Sequence, residues 1–172
     1  MAKKTAMGTF GRGKRRISPL GWALRGAAAG AAGTTALDTV SYLDMAIRGR
    51  PASSSPERTV EKLAEKAHLA VPGDGQTRQN RLQGLGALTG YAAGVGIGVL
   101  VGLVRAAGFR SSPLVGTAVI TGGVLVATNS PMTVLGVTDP RTWSTADWIS
   151  DVVPHLAYAA VVKATMDAFD RP

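Results

Sequence analysis

LQGLGALTGYAAGVGIGVLVGLV, from Leu82 to Val104, is an apolar segment without a charged residue. At roughly 1.5 Å of rise per residue, a helix of this length crosses the roughly 30 Å hydrocarbon layer of a membrane. The residues that follow remain largely apolar as far as Phe109. The sequence therefore predicts a transmembrane helix over residues 82–109.

The same segment carries glycine at every fourth position. The row consists of Gly86, Gly90, Gly94, Gly98 and Gly102. Residues four apart lie on one face of a helix, so these glycines predict a groove without side chains in which a second backbone can pack. Gly26, Gly30 and Thr34 have the same spacing and offer a partner helix. We favour packing within one chain, although the pattern also fits a seam between two copies.

Three further apolar segments accompany this one. We predict spans at about residues 20–47, 113–137 and 146–169, a basic leader at residues 1–19 and a polar loop at residues 48–81. Ser112 followed by Pro113 is a helix-start signal, and Ser144 with Asp147 has the spacing of a capping box. The prediction is an all-α integral membrane bundle of four transmembrane helices, with residues 20–172 as a single domain.

The polar loop contains an amphipathic helix that begins near Pro56. Val60, Leu63, Ala64 and Ala67 recur at helical spacing. Acidic and basic side chains form two adjacent stripes that can pair three residues apart: Glu57, Glu61 and Glu65, and Arg58, Lys62 and Lys66. We expect a solvated helix on the surface of the bundle or the membrane, with a partner-docking helix as the alternative.

Basic residues outnumber acidic ones, 19 to 11, and the excess begins in the leader. Its cations, which no acid accompanies, are Lys3, Lys4, Arg12, Lys14, Arg15 and Arg16. Cations beside apolar spans bind anionic lipid headgroups and determine topology, so we expect membrane lipids as partners and not nucleic acid. The leader predicts a multi-pass protein of the cell (inner) membrane with cytoplasmic termini.

Several predicted spans contain ionisable or amide side chains. The candidates are Asp38, Asn129, Asp151, His155, Lys163 and Asp167. A charge inside a membrane is costly unless it is paired, hydrated or neutralised, so these residues have either a functional or a structural hydrogen-bonding role. With Ala159, four of them follow at steps of four along the last span, which predicts a polar seam. Lys163 and Asp167 also have the spacing of an ion pair.

Catalytic motifs are missing from the sequence. With no cysteine and two histidines, the chain offers little to a transition metal. Its glycine-rich runs lack the strand and the lysine of a phosphate-binding loop. We therefore predict no enzymatic activity, no cofactor and no metal site.

Four stretches resemble a group of integral membrane proteins without an assigned activity that is common in actinobacteria. They are Tyr42 to Ala46, Arg48 to Pro56, Pro72 to Arg81 and, above all, Pro131 to Asp147. The resemblance implies a helical bundle in the cell membrane and transfers no catalytic residue.

Two functions fit these observations. The first is a structural or accessory membrane protein, including a small subunit of a larger complex or a homo-oligomer, which the glycine row favours. The alternative is a proton or ion pathway, or a small transporter, in which Asp38, Asp151, His155 and Lys163 line a hydrated seam.

Overall fold

The computed structural model of the chain describes residues 17–171. It contains five α-helices: α1 (Pro19–Arg48), α2 (Ser55–Lys66), α3 (Gly75–Ala106), α4 (Pro113–Val134) and α5 (Thr145–Ala168). A short 3-10 turn, Pro140–Thr142, precedes α5, and residues 17–171 include no β-strand. The all-α prediction is confirmed for this part of the chain. The leader cations from Lys3 to Arg16 lie outside the described residues.

Three of the five helices, α1, α4 and α5, begin at a side-chain cap, whereas α2 and α3 begin without one. Ser18 and Ser112 accept hydrogen bonds from amides three residues on, at 3.1 and 3.4 Å, and a proline follows each of them. Ser144 and Asp147 form the predicted capping box in both directions. These caps satisfy amides that would otherwise lack a partner in the first turn of these three helices.

The largest difference from the predicted boundaries is at α3, which begins at Gly75 and not at Leu82. Hydropathy shows where the apolar residues of a helix begin, which is at Leu82. The polar residues before Leu82 also favour a helix, so the helix itself begins earlier. Gln76 and Asn80, for example, share a side-chain hydrogen bond of 2.7 Å across one turn. The polar loop therefore ends at residue 74, and α3 extends beyond its apolar part.

The end of α4 also differs from the prediction. Pro131 lies inside the helix, and the Thr133 hydroxyl donates to the Asn129 carbonyl at 2.8 Å in the same turn. The helix ends at Val134, before the predicted residue 137, because Gly136 adopts a left-handed φ of 70°. A reversed hydrogen bond from the residue after Gly136 closes the turn, as is typical of helix C-termini.

The four long helices lie side by side in the order α3, α1, α5, α4. The short helix α2 lies against α3. The buried core between them is formed by Trp22, Ala29, Val124, Tyr158, Ala159, Val162 and Met166. At one end, α1 and α4 begin where α3 and α5 finish, and we call this the leader end. At the other, α2 and the connection between α4 and α5 meet, and we call this the loop end.

Two of the helices, α3 and α4, are long and apolar enough to cross a membrane. The predicted spans at α1 and α5 are helical over nearly the expected residues, but they do not meet that criterion of hydropathy and charge. Large apolar side chains remain exposed on the surface of the described bundle, among them Leu100, Leu114, Val119 and Val126. A surface of this kind is typical of helices that contact lipid or another apolar partner.

Candidate functional site

Glycines hold α1 and α3 in backbone contact. A Cβ atom built on Gly30 would lie 2.6 Å from the Gly94 carbonyl oxygen, and one built on Gly98 would lie 2.6 Å from the Gly30 Cα atom. Gly26 and Gly102 face each other in the same way, with a Cβ on Gly102 only 3.1 Å from the Gly26 Cα atom. The structure thus brings Gly26 and Gly30 of α1 together with Gly94, Gly98 and Gly102 of α3 within one chain.

Two members of the α3 row do not belong to this contact. Gly86 faces α2, where an added Cβ would lie 3.0 Å from the Cβ atom of Pro56, and Gly90 has no atom of another residue within 4 Å of that position. Positions four apart rotate by about 40° at each step, so a row of five cannot keep to one face of a straight helix. The row therefore serves two neighbours, α1 and α2, at its two ends.

A buried tyrosine connects α5 to this glycine contact. Tyr158 is 1% exposed, and its hydroxyl donates to the Gly94 carbonyl at 2.6 Å. Its ring fills the space beside Gly33, where a Cβ atom would approach ring carbon Cδ2 to 2.8 Å. Tyr158 and Gly33 were not among the predicted residues, although a tyrosine in the middle of a largely apolar helix is a signal for a buried hydrogen bond.

At the leader end, charged side chains of α3 and α5 form a network. Asp167 accepts hydrogen bonds from Lys163, at 2.5 Å, and from Arg105. Arg105 also pairs with Asp170 at 2.8 Å, and Arg110 contacts Asp170 at 3.3 Å. The side chains of Arg105 and Lys163 are only 8% and 6% exposed, so the cost of burying these cations must be offset by the paired carboxylates. The predicted Lys163 and Asp167 pair is present, while Arg105 was not foreseen.

A second polar cluster lies toward the loop end and joins α4 to α5. The Asn129 side-chain amide donates to the Asp151 carboxylate at 2.8 Å. The Nδ1 atom of His155 lies 2.7 Å from the Asp151 backbone carbonyl, which can only accept, so this nitrogen carries a proton. The same nitrogen is 3.4 Å from the Asp151 carboxylate. Asp151 thus holds both Asn129 and His155.

Nearby, Asp44 anchors the end of α1. It pairs with Arg48 at 3.2 Å and with Arg50, and Ser150 of α5 lies within hydrogen-bond distance of both Asp44 and Arg48. Arg58 of α2 donates to the Val137 carbonyl in the connection between α4 and α5. The loop end is therefore held by polar contacts that cross from helix to helix.

An apolar layer separates the two polar clusters of α5. Tyr158, Ala159 and Val162 are each no more than 1% exposed and lie between His155 and Lys163 along the helix. Asp38 lies beside Tyr91 of α3 and takes part in neither cluster. The six candidate residues of the predicted seam are therefore divided between two clusters and one separate carboxylate.

Ion pairs outside the long helices are local and solvated. A hydrogen bond from Arg141 lowers the pKa of the Asp139 carboxyl, and the Arg141 side chain is 88% exposed. On α2, the hydrogen bond to Glu65 raises the pKa of the Lys62 ammonium. Exposed pairs of this kind contribute little to stability. The stabilising charges are those at the bundle ends.

We predict that Tyr158→Phe lowers the free energy of unfolding by about 1 kcal/mol. The change removes one buried hydrogen bond, while the Gly94 carbonyl keeps its acceptor role within α3. Chemical unfolding in a mild detergent measures the difference. Tyr42→Phe is the control because Tyr42 is 63% exposed, and we expect it to match the wild type. Equal stability of both variants and the wild type would contradict the structural role of this hydroxyl.

Within residues 17–171, no group of three or more histidine or acidic side chains is arranged to hold a metal ion. The polar side chains described above can form hydrogen bonds and ion pairs between helices. Comparison with protein-family models, with curated proteins and with solved structures finds no match for this chain.

Proposed function

We propose that this chain is a structural or accessory integral membrane protein, a small subunit that contributes a rigid bundle of four transmembrane helices to a larger membrane complex. The observation that carries the proposal is the way in which buried and partly buried polar groups are used. Arg105, Asn129 and Tyr158 each bind a residue of another helix. Groups engaged in this way stabilise the packing of helices in lipid.

The packing of α1 supports a crossing by this helix as well. Gly26, Gly30 and Thr34 contact the half of α3 that runs from Gly94 to Gly102, which belongs to the uncharged segment. A helix that packs backbone to backbone on a membrane-crossing segment lies at the same depth. α1 has 30 residues and is roughly 45 Å long, which exceeds the hydrocarbon thickness.

The case for α5 is similar. It has 24 residues, roughly 36 Å, and lies between α1 and the apolar helix α4. Its acidic and basic residues lie toward its two ends, where Lys163 pairs with Asp167 and Asp151 accepts a hydrogen bond from Asn129. Charged residues at such positions are tolerated in a transmembrane helix.

The proposed orientation has both termini in the cytoplasm, in the cell (inner) membrane of a bacterium of the kind that the resemblance suggests. The leader cations from Lys3 to Arg16 would then contact anionic headgroups. Arg110 and Arg171, near the leader end, add to these cations, whereas the polar loop is also rich in lysine and arginine but mixes them with acidic residues.

A face of α4 favours an accessory role. Added Cβ atoms on Gly122 and Gly123 would meet no other residue within 4 Å, and the neighbouring Val119 and Val126 are 67% and 64% exposed. Small residues in a transmembrane helix let another helix approach closely. We propose that a transmembrane helix of a partner subunit packs on this face.

The ion-pathway alternative gains no comparable support. This alternative requires the candidate residues to line one continuous polar seam. The buried layer of Tyr158, Ala159 and Val162 interrupts that route on α5. We therefore favour the structural interpretation.

We predict that Gly122→Ile detaches the protein from its complex without unfolding it. The new Cβ atom would meet no other residue of the chain, whereas the side chain would obstruct a partner helix at this face. Native mass measurement after extraction from the natural membrane in mild detergent gives the size of the complex. The wild type and Gly96→Ile, where the added side chain also has free space, should retain the larger mass. A monomeric wild type would contradict the accessory function.

A further inference from the structure

An apolar groove lies between α2 and the N-terminal half of α3. Its floor includes Val60 and Ala64 of α2, Leu69 of the following loop, and Leu85 and Leu88 of α3. The groove is an open cleft of about 540 Å³, and an adjoining open cleft of about 300 Å³ shares several of these residues. The surface of the cleft is almost entirely apolar.

The groove lies where the uncharged part of α3 begins. Leu85 and Leu88 follow Leu82, the first residue of the segment without charge, whereas the residues of α3 before Leu82 are mainly polar. Leu85 and Leu88 are 42% and 65% exposed. On the proposed membrane location, the groove therefore opens toward the lipid at the boundary between headgroups and hydrocarbon.

The rim of the groove carries one cation. Arg81 lines it, and its guanidinium lies against the turn at Gly73, where an added Cβ would be 2.9 Å from the Arg81 Nη1 atom. The ion pairs among residues 17–171 do not include Arg81, and Glu61 of α2 is bound by Arg78 at 2.6 Å. A cation beside an apolar groove matches the anionic headgroup and acyl chain of a phospholipid.

We infer that this groove binds an anionic phospholipid, with an acyl chain between α2 and α3 and the phosphate at Arg81. The inference rests on the proposed membrane location. α2 then has a defined role: its apolar face, with Val60 and Ala64, covers the bound chain, and its charged face contacts water. Apolar lining selects the chain, and Arg81 selects the charge of the headgroup.

Native mass spectrometry tests this inference. The purified protein in mild detergent is incubated with equal amounts of phosphatidylglycerol and phosphatidylcholine and then washed. The mass of the intact protein with its retained lipid identifies which lipid is bound and how many molecules there are. We expect one retained phospholipid and a preference of about fivefold for the anionic one, from a single basic residue. Ala64→Trp fills the groove and should abolish retention. Arg81→Gln should keep a bound lipid but lose the preference.

Leu100→Trp is the matched control because Leu100 is exposed on α3 and does not line the groove. It should retain lipid as the wild type does. Equal retention by Ala64→Trp and the wild type, or a preference that survives Arg81→Gln, would overturn the inference. The proposed function fails separately, if the wild type is recovered with soluble proteins and not with the membrane fraction.

Discussion

Gly98→Ala is expected to destabilise the protein by at least about 2 kcal/mol, the effect of overpacking a tight contact. The new methyl carbon would lie 2.6 Å from the Gly30 Cα atom and 2.7 Å from the Gly30 nitrogen. Both obstacles are backbone atoms, which cannot rotate away as a side chain would, so α1 and α3 must separate. Chemical or thermal unfolding in mild detergent gives the free-energy difference.

Gly96→Ala is the matched control for this substitution. It makes the same change on the same helix, but its methyl carbon would meet no other residue within 4 Å. Because alanine favours a helix over glycine, we expect wild-type or slightly greater stability. If both variants unfolded at the wild-type midpoint, the glycine contact between α1 and α3 would not be a packing surface.

Asp167→Asn is expected to have the largest effect, a loss of about 3 kcal/mol, because it leaves buried cations without their counter-charge. Lys163 loses its ion-pair partner, and Arg105 keeps Asp170 alone. Thermal unfolding in mild detergent measures the loss. Adding Lys163→Met to Asp167→Asn should recover part of it, since the double variant buries one unpaired charge fewer.

Asp139→Asn is the control for the loss of a carboxylate. It also removes a carboxylate paired with an arginine, but that arginine is largely exposed, so we expect an unchanged unfolding midpoint. A midpoint for Asp167→Asn equal to that of Asp139→Asn would show that the leader-end network does not stabilise the bundle.

The local helix signals could be predicted from sequence because they depend on neighbouring residues. Ser112, Ser144 and Asp147 cap helices as their spacing predicts. The extent of α3 could not be predicted from hydropathy, which measures transfer to lipid and not helix formation. The same measure leaves α1 and α5 below the level expected of a span, since glycine, threonine and charged residues reduce it.

The tertiary contacts could be predicted only in part. The glycine spacing predicted which faces of α1 and α3 contact each other. It could not indicate that Gly90 lies outside this contact. Periodicity placed Asp151, His155, Lys163 and Asp167 on one side of α5, yet the partners Arg105 and Asn129 come from other helices. Partner choice depends on how the helices are arranged, which no local pattern specifies.

In the proposed topology, α1 and α5 cross the membrane together with α3 and α4. The chain has no cysteine, so single cysteines can be introduced directly, at Ile17, Ser53, Ser111, Thr138 and Arg171. Labelling with a membrane-impermeant maleimide, from each side of the membrane, then reports their location. We expect positions 17, 111 and 171 on the cytoplasmic side and positions 53 and 138 on the other. If position 17 shared a side with 53, and position 171 with 138, only α3 and α4 would cross, and the four-span account would be wrong.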